Sequence, residues 1–564
     1  MRRFDLFCGI LLLSQLAWTC VSAQEYSALE DTRHDLAIYL RPTSADRDDD
    51  PRCVFCHAPR SRLLSLGSWI EDQPENLLVY PYDRPSEISP AGKPDGSSLI
   101  CLGCHDGTIA LGDIVSRTQS AVSSTGQART DFSDGHPVSL RYEAGAGEAR
   151  IALESRDRLP EQIGLDAMGK IQCTTCHDPH DDTYGNFLVM DYSDKTLCVA
   201  CHKISNWDRS AHNTAPVAWN RQGPDPWPFT ASRGTVAEHG CANCHTPHTS
   251  GDGRNLLNFS TEEDNCLSCH NGNVARTDIR AEFNKVSHHP VELTTGVHKA
   301  DEDIVIPQSD RHVECVDCHD PHSVRNAENG KGLAFVAGTP GIDMDGAETA
   351  SVTAEFEMCV RCHGNGPARR AMPTPRVHDQ TNVRLQFDTG NPSFHPVMAP
   401  GNNPDVPSLI APLAENSTIG CGDCHSSDAD SRLGGQGPDG PHGSVFPSLL
   451  VRNHQTQDRT PESPTAYALC YLCHDRNSIL ADESFSEHRL HISDNGTPCS
   501  ACHDPHGISF TQGDSGSSSH LINFDTSIVF PNAVDELRFE DRGSRAGACF
   551  LACHSSDHDG SSYE

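Results

Sequence analysis

CTTCHDPH, Cys173 to His180, is the stretch on which the reading turns. Its first five residues have the form C-x-x-C-H, and the chain holds eleven such pentapeptides. They are CVFCH (Cys53, Cys56, His57), CLGCH (Cys101, Cys104, His105), CTTCH (Cys173, Cys176, His177) and CVACH (Cys198, Cys201, His202). CANCH (Cys241, Cys244, His245), CLSCH (Cys266, Cys269, His270), CVDCH (Cys315, Cys318, His319) and CVRCH (Cys359, Cys362, His363) follow. CGDCH (Cys421, Cys424, His425), CYLCH (Cys470, Cys473, His474) and CSACH (Cys499, Cys502, His503) complete them. A near-copy, CFLACH (Cys549, Cys553, His554), has one more residue between its cysteines. C-x-x-C-H is the attachment signature of c-type haem: two thiols add to the vinyl groups, and the adjacent imidazole becomes the proximal iron ligand.

Zinc and thiol redox centres also use C-x-x-C. Neither needs a histidine after every second cysteine, and a disulfide framework would not fix that spacing. Of 26 cysteines, 24 lie in the twelve motifs; Cys8 and Cys20 sit in the apolar N-terminal segment. The expected cofactor is therefore haem c, about twelve per chain, with a local disulfide as the alternative at CFLACH.

Met1-Arg2-Arg3, the apolar run Leu6–Trp18 and the small residues Val21-Ser22-Ala23 read as a signal peptide over 1–23, with the mature chain starting at Gln24. Lipidation at Cys20 is the competing reading, with Trp18 and Thr19 poorly suited to precede it. No later stretch reaches the ~20 apolar residues of a membrane span. The expectation is an exported protein, periplasmic, outer-surface or extracellular. A net charge of −35 excludes nucleic acid as a partner, since phosphate binding needs clustered Lys and Arg. The same charge favours cationic patches and metal cations.

The chain is 36% hydrophobic, and 44 glycines and 37 prolines break any sustained periodicity. Removing 23 residues from 564 leaves 541, about 45 for each of twelve haems, so the macrocycles must supply most of the core. The expected fold class is a multihaem cytochrome c: mostly loops, with short helices and few strands, wrapped around a chain of stacked haems. C-x-x-C-H-x-P-H recurs at Cys173, Cys241, Cys315 and Cys499, each followed by a second motif, at Cys198, Cys266, Cys359 and Cys549. GPHGS at Gly440–Ser444 is a displaced copy of the P-H element. H-P-V recurs at His136, His289 and His395, and NFL, NLLNF and HLINF follow three of the P-H elements. Six two-haem modules result: 24–160, 161–235, 236–305, 306–410, 411–495 and 496–564.

With CVFCHAP, CLGCHDGT, the H-P-V elements and CxxCHxPH, the mature chain resembles the doubled-CXXCH-motif multihaem cytochromes of metal-respiring bacteria. The resemblance implies bis-histidine haems in close pairs and a role in moving electrons to or across the cell envelope. Arg60, where the pattern places a ligand histidine, departs from it, as does CFLACH.

Of 32 histidines, twelve are proximal, which leaves twenty for twelve distal positions and favours His/His iron. Repetition selects His180, His248, His322, His442 and His506 from the P-H set and His136, His289 and His395 from the H-P-V set. His212 and His488 fill the corresponding gaps, and His34 and His491 complete the expected distal ligands. His180 lies three residues beyond His177, a reach of about 10 Å that cannot round a macrocycle to the same iron. The expectation is that His180 serves the Cys198 haem, His248 the Cys266 haem and His322 the Cys359 haem. Mature methionines are few, so potential-raising His/Met ligation is not expected.

Two functions compete. An electron-transfer protein would pass electrons along saturated haems to other redox proteins, extracellular acceptors or copies of itself in a filament. A multihaem reductase would keep one haem open for a small inorganic oxidant; no motif ends in anything but histidine, which leaves CFLACH as the candidate open site.

Overall fold

The computed structural model describes residues 29, 32, 34–35, 56, 94–105, 135–143, 151–192, 195–227, 234–248, 255–291, 313–325, 333–364, 373–401, 403 and 405–563. The signal-peptide reading, Cys53 and His57 fall outside them. Two compact units appear, one of Met1–Trp207 with Trp227–Asn265 and one of Asp208–Pro226 with Cys266–Glu564.

The C-x-x-C-H pentapeptide folds as a single closed turn. The histidine N–H donates to the carbonyl of the first cysteine at Cys173, Cys241, Cys266, Cys315, Cys421, Cys470 and Cys499, at 2.8–3.0 Å. The residue before the second cysteine caps three of these turns: Thr175, Asp317 and Asp423 accept the N–H of Gln172, Glu314 and Gly420. One turn is all the helix such a motif needs, and it holds both thiols close together. Where D-P-H follows, the aspartate accepts the histidine's own N–H, as in Asp178–His180 (2.9 Å), Asp320–His322 (3.0 Å) and Asp504–His506 (3.2 Å).

Sheet is sparse. In the first unit β1 (Ile151–Leu153) pairs antiparallel with β2 (His202–Ile204). In the second, β3 (Ser287–His288) pairs with β7 (Gly443–Ser444), β4 (Gly341–Ile342) with β5 (Glu348–Thr349), and β6 (Ser393–Phe394) with β8 (Gly507–Ile508). Two of these ladders join an H-P-V element to a P-H element: β3 and β6 run into His289 and His395, while β7 and β8 leave His442 and His506. Glycine is required on the P-H side. A Cβ at Gly443 would strike the Glu282 carbonyl, and one at Gly507, where φ is +137°, would strike the Gln386 carbonyl.

The remaining sheet orders β9 (Arg538–Asp541), β10 (Gly547–Cys553) and β11 (Ser556–Tyr563) as β11-β10-β9. It covers an apolar cluster of Ala501, Phe524, Ile528, Val529, Phe539 and Leu551. Other clusters are smaller, such as Leu267, Phe283 and Val291. The molecule is thus mostly loops and short turns with small sheets, as its composition dictates. Among the described residues no helix is long and apolar enough to cross a membrane.

Candidate haem sites

Nine of the motif histidines stand ring to ring with a histidine from elsewhere in the chain. In the first unit His105 faces His34 (centroids 6.2 Å apart), His177 faces His248 (5.8 Å) and His202 faces His136 (6.1 Å). In the second, His270 faces His212 (6.2 Å), His319 His442 (6.0 Å) and His363 His289 (6.4 Å). His425 faces His506 (6.1 Å), His474 His395 (6.4 Å) and His503 His488 (6.4 Å). Two metal–imidazole bonds of about 2 Å each, with the depth of two rings, put centroids roughly 6 Å apart. The residues therefore fit a bis-imidazole iron, which is the first test of the haem reading.

Ring nitrogens supply a second test. Nδ1 of His177 bonds the carbonyl of Asn186 (2.9 Å), that of His245 Asn255 (2.7 Å), that of His425 Ser448 (2.8 Å) and that of His503 His520 (2.9 Å). His319 bonds the Phe335 carbonyl at 2.8 Å. A carbonyl only accepts, so Nδ1 carries the proton and Nε2 keeps the lone pair that iron needs. NFL, NLLNF and HLINF are the loops that deliver three of these carbonyls, those of Asn186, Asn255 and His520. Asn186, Phe187, Leu256, Ser448, Leu449, His520 and Leu521 all take positive φ, which turns the carbonyl inward. A bridge then closes each loop, pairing His177 with Leu188, His245 with Leu257, His425 with Leu450 and His503 with Ile522.

The P-H elements do the corresponding work for the facing histidines. His34 bonds the Pro179 carbonyl, His212 that of Pro321 (2.9 Å), His289 that of Pro441 (2.8 Å) and His395 that of Pro505. His136 reaches the Pro247 carbonyl through its backbone N–H at 2.6 Å. One dipeptide therefore acts at two sites: Pro441 orients the histidine facing His363, while His442 faces His319. Burial keeps seven of the paired imidazoles neutral, the form that binds metal. It holds His136, His270, His474, His488 and His503 at about 4 and His442 and His506 at about 3.

Cysteines of consecutive motifs meet in alternation. First cysteines pair by hydrogen bond at Cys101–Cys173 and Cys198–Cys241 in the first unit, and at Cys359–Cys421 and Cys470–Cys499 in the second. The sulfurs of Cys266 and Cys315 lie within 4.8 Å. Second cysteines meet at the intervening steps: burial and then the neighbouring Cys201 push Cys176 up to about 11, and burial and then Cys473 push Cys424 up to about 12. Cys318 likewise neighbours Cys362. Within each unit, motifs adjacent in sequence are adjacent in space.

One expectation is overturned. His248 stands at His177 and not at the Cys266 site, whose His270 faces His212; likewise His202 faces His136 and His363 faces His289. The short reach rules out the residue's own iron but does not say which neighbour is served. The fold-back that ties Pro247 to His136 carries His248 to the preceding module. His180 and His322 have Nδ1 beside Asp178 (3.3 Å) and Asp320 (3.7 Å). His554 binds the Asp458 carboxylate through Nε2, at 2.8 and 2.9 Å, and His491 faces His558.

Sequence reading missed three supporting side chains. The Gln386 amide oxygen accepts from His506 Nδ1 (2.9 Å), and Ser408 Oγ bonds His474 Nδ1 (2.9 Å). Half-buried Arg376 donates to the carbonyls of Ser500, Asn523 and His503 around the Cys499 site. No local pattern marks any of them, because each lies far along the chain from the site it serves.

Residues 233–391 match the family model of outer membrane cytochrome MtrC/MtrF-like, domains II/IV, and residues 167–205 that of the doubled CXXCH motif. No curated protein and no solved structure matches the chain. With its repeated attachment turns and facing imidazoles, the chain is a multihaem c-type cytochrome of electron transfer, and its matched segments are similar to the outer membrane and doubled-CXXCH cytochromes of metal-respiring bacteria.

Proposed function

We propose that the protein is a dodecahaem conductor that carries electrons along closely spaced bis-histidine haems, across or beyond the cell envelope, to other redox proteins or extracellular acceptors. The observation that carries this reading is the set of nine facing imidazole pairs at 5.8–6.4 Å. Each pair would hold one haem, whose iron supplies reversible one-electron chemistry. At these nine sites both axial positions would be filled by protein, which leaves them no place for a substrate, and the chain acts by holding its haems in order. His34, His136, His212, His289 and His395 are the distal ligands at alternate sites. His248, His442 and His506 serve the sites between them, and His488 serves the Cys499 site. The same rule gives His180 to the Cys53 site.

The match to outer membrane cytochrome domains and the signal-peptide reading support an outer-surface or extracellular location. The negative charge favours cationic partners and minerals, and filament formation is one route by which such a row would lengthen. Electron paramagnetic resonance of the oxidised holoprotein tests the reading. Low-spin ferric signals alone are expected, with no carbon monoxide binding after reduction. High-spin haem that binds carbon monoxide would point to the reductase instead.

A further inference from the structure

Three arginines among the described residues reach the backbone of an attachment turn. Arg361 donates to the Asp317 carbonyl at 3.5 Å, and Arg432 to that of Gly422 at 2.8 Å. Both have carboxylates beside them: Asp317 lies 3.9 Å from Arg361, and Asp430 lies 2.7 Å from Arg432. Arg376 is different. Its Nη1 donates to the carbonyls of Ser500 and Asn523, each at 2.7 Å, and its Nη2 to that of His503 at 3.1 Å. No carboxylate among the described residues forms an ion pair with it. Asp504 and Asp525, the acidic groups nearby, turn their oxygens to other donors. Asp504 accepts from the His506 N–H at 3.2 Å and the Asn523 amide at 3.0 Å, and Asp525 from the Ser527 N–H at 2.9 Å.

The guanidinium is held in place by its own backbone, which lies along the segment after the Cys499 motif. Val377 N–H donates to the Phe524 carbonyl (3.2 Å) and Thr526 N–H to that of Pro375 (3.0 Å). His378 N–H donates to the Asn523 amide oxygen at 2.9 Å. A residue 127 positions before His503 is thereby fixed against the carbonyl of that motif histidine. Burial lowers the guanidinium pKa, and Asp504, Asp525 and Cys502 oppose that shift. An arginine stays protonated in proteins all the same. Its half-buried charge is screened less than one on the surface. Reduction adds one electron to a haem iron, so a fixed positive charge beside the site favours the reduced state.

We propose that Arg376 sets the reduction potential of the Cys499 haem, raising it by its fixed charge so that electrons moving along this unit gather there. The proposal rests on the bis-histidine conductor reading and deepens it by giving one haem of the row a distinct potential. Spectroelectrochemistry of the secreted holoprotein tests it on a marked haem. His488→Ala opens the Cys499 iron and adds one high-spin signal, whose reduction is followed apart from the other haems. In that background Arg376→Gln keeps hydrogen-bond donors without the charge, and Arg376→Lys keeps the charge with fewer donors. Arg376→Gln should move the marked haem to lower potential. Its reduced-to-oxidised ratio at a fixed applied potential should fall roughly tenfold, the scale of one unit charge acting inside a protein. Arg376→Lys should stay within about twofold of the parent ratio. Intact mass should give the same haem count for the parent and both variants. An unchanged ratio in Arg376→Gln, equal shifts in the two variants, or a lost haem would make Arg376 a structural brace and overturn the proposal, leaving the conductor reading intact. No added high-spin signal in His488→Ala would instead overturn the ligand assignment on which both rest.

Discussion

At the scale of the residue, His177, His245, His319, His425, His503 and His506 each divide their work between two nitrogens. Nδ1–H is fixed by a carbonyl or amide oxygen, and Nε2 is thereby aimed and deprotonated. His506 is the clearest case, because its Nδ1 partner is the Gln386 side chain and can be changed without moving backbone. Gln386→Leu removes the acceptor and makes His506 a weaker donor to iron. Spectroelectrochemistry should find one haem, that of Cys421, shifted to higher potential while its spin state is unchanged. His248 and His212 should open different haems. Each alanine variant alone should give one high-spin signal, and the double variant two. A double variant with a single open haem would mean that both histidines serve one iron.

At the scale of the element, the two-residue ladders β3–β7 and β6–β8 couple neighbouring sites. Gly443→Val drives a side chain into the Glu282 carbonyl and should cost about 1–3 kcal/mol, the range of overpacked positions. Because that ladder sets both His289 and His442, resonance should show two haems perturbed together. One perturbed haem would argue that the ladder is only a local staple. The sequence displays these elements as repeats: H-P-V, P-H and the NFL-type loops are all visible in it. Their partners are not, because His442 reaches His319 and His289 reaches His363 across long stretches of chain whose folding no local pattern encodes. The task of the NFL-type loops, lending a carbonyl to the motif histidine, emerges only from geometry. At CFLACH the spelling of the motif points to His554, whereas the structure sets that ring against the Asp458 carboxylate.

At the scale of the whole molecule, small apolar clusters and many loops leave the haems as the main source of cohesion. Chemical cleavage of the thioether links should therefore abolish the far-ultraviolet circular dichroism of folded protein, with no refolding on return to buffer. A haem-free chain that kept its fold would show that the polypeptide holds itself together. The central claim is that, within each compact unit, imidazole pairs and meeting cysteines define a row of haems running in sequence order. Electron cryomicroscopy of the secreted protein, at a resolution that shows each iron and its axial ligands, tests it most directly. The account predicts that His34 and His105 share one iron, that His248 and His177 share the next, and that within each unit every later haem lies beside those of the motifs before and after it. An iron ligated by two histidines of one module's own C-x-x-C-H-x-P-H, or haems from non-adjacent motifs in contact along the row, would contradict it.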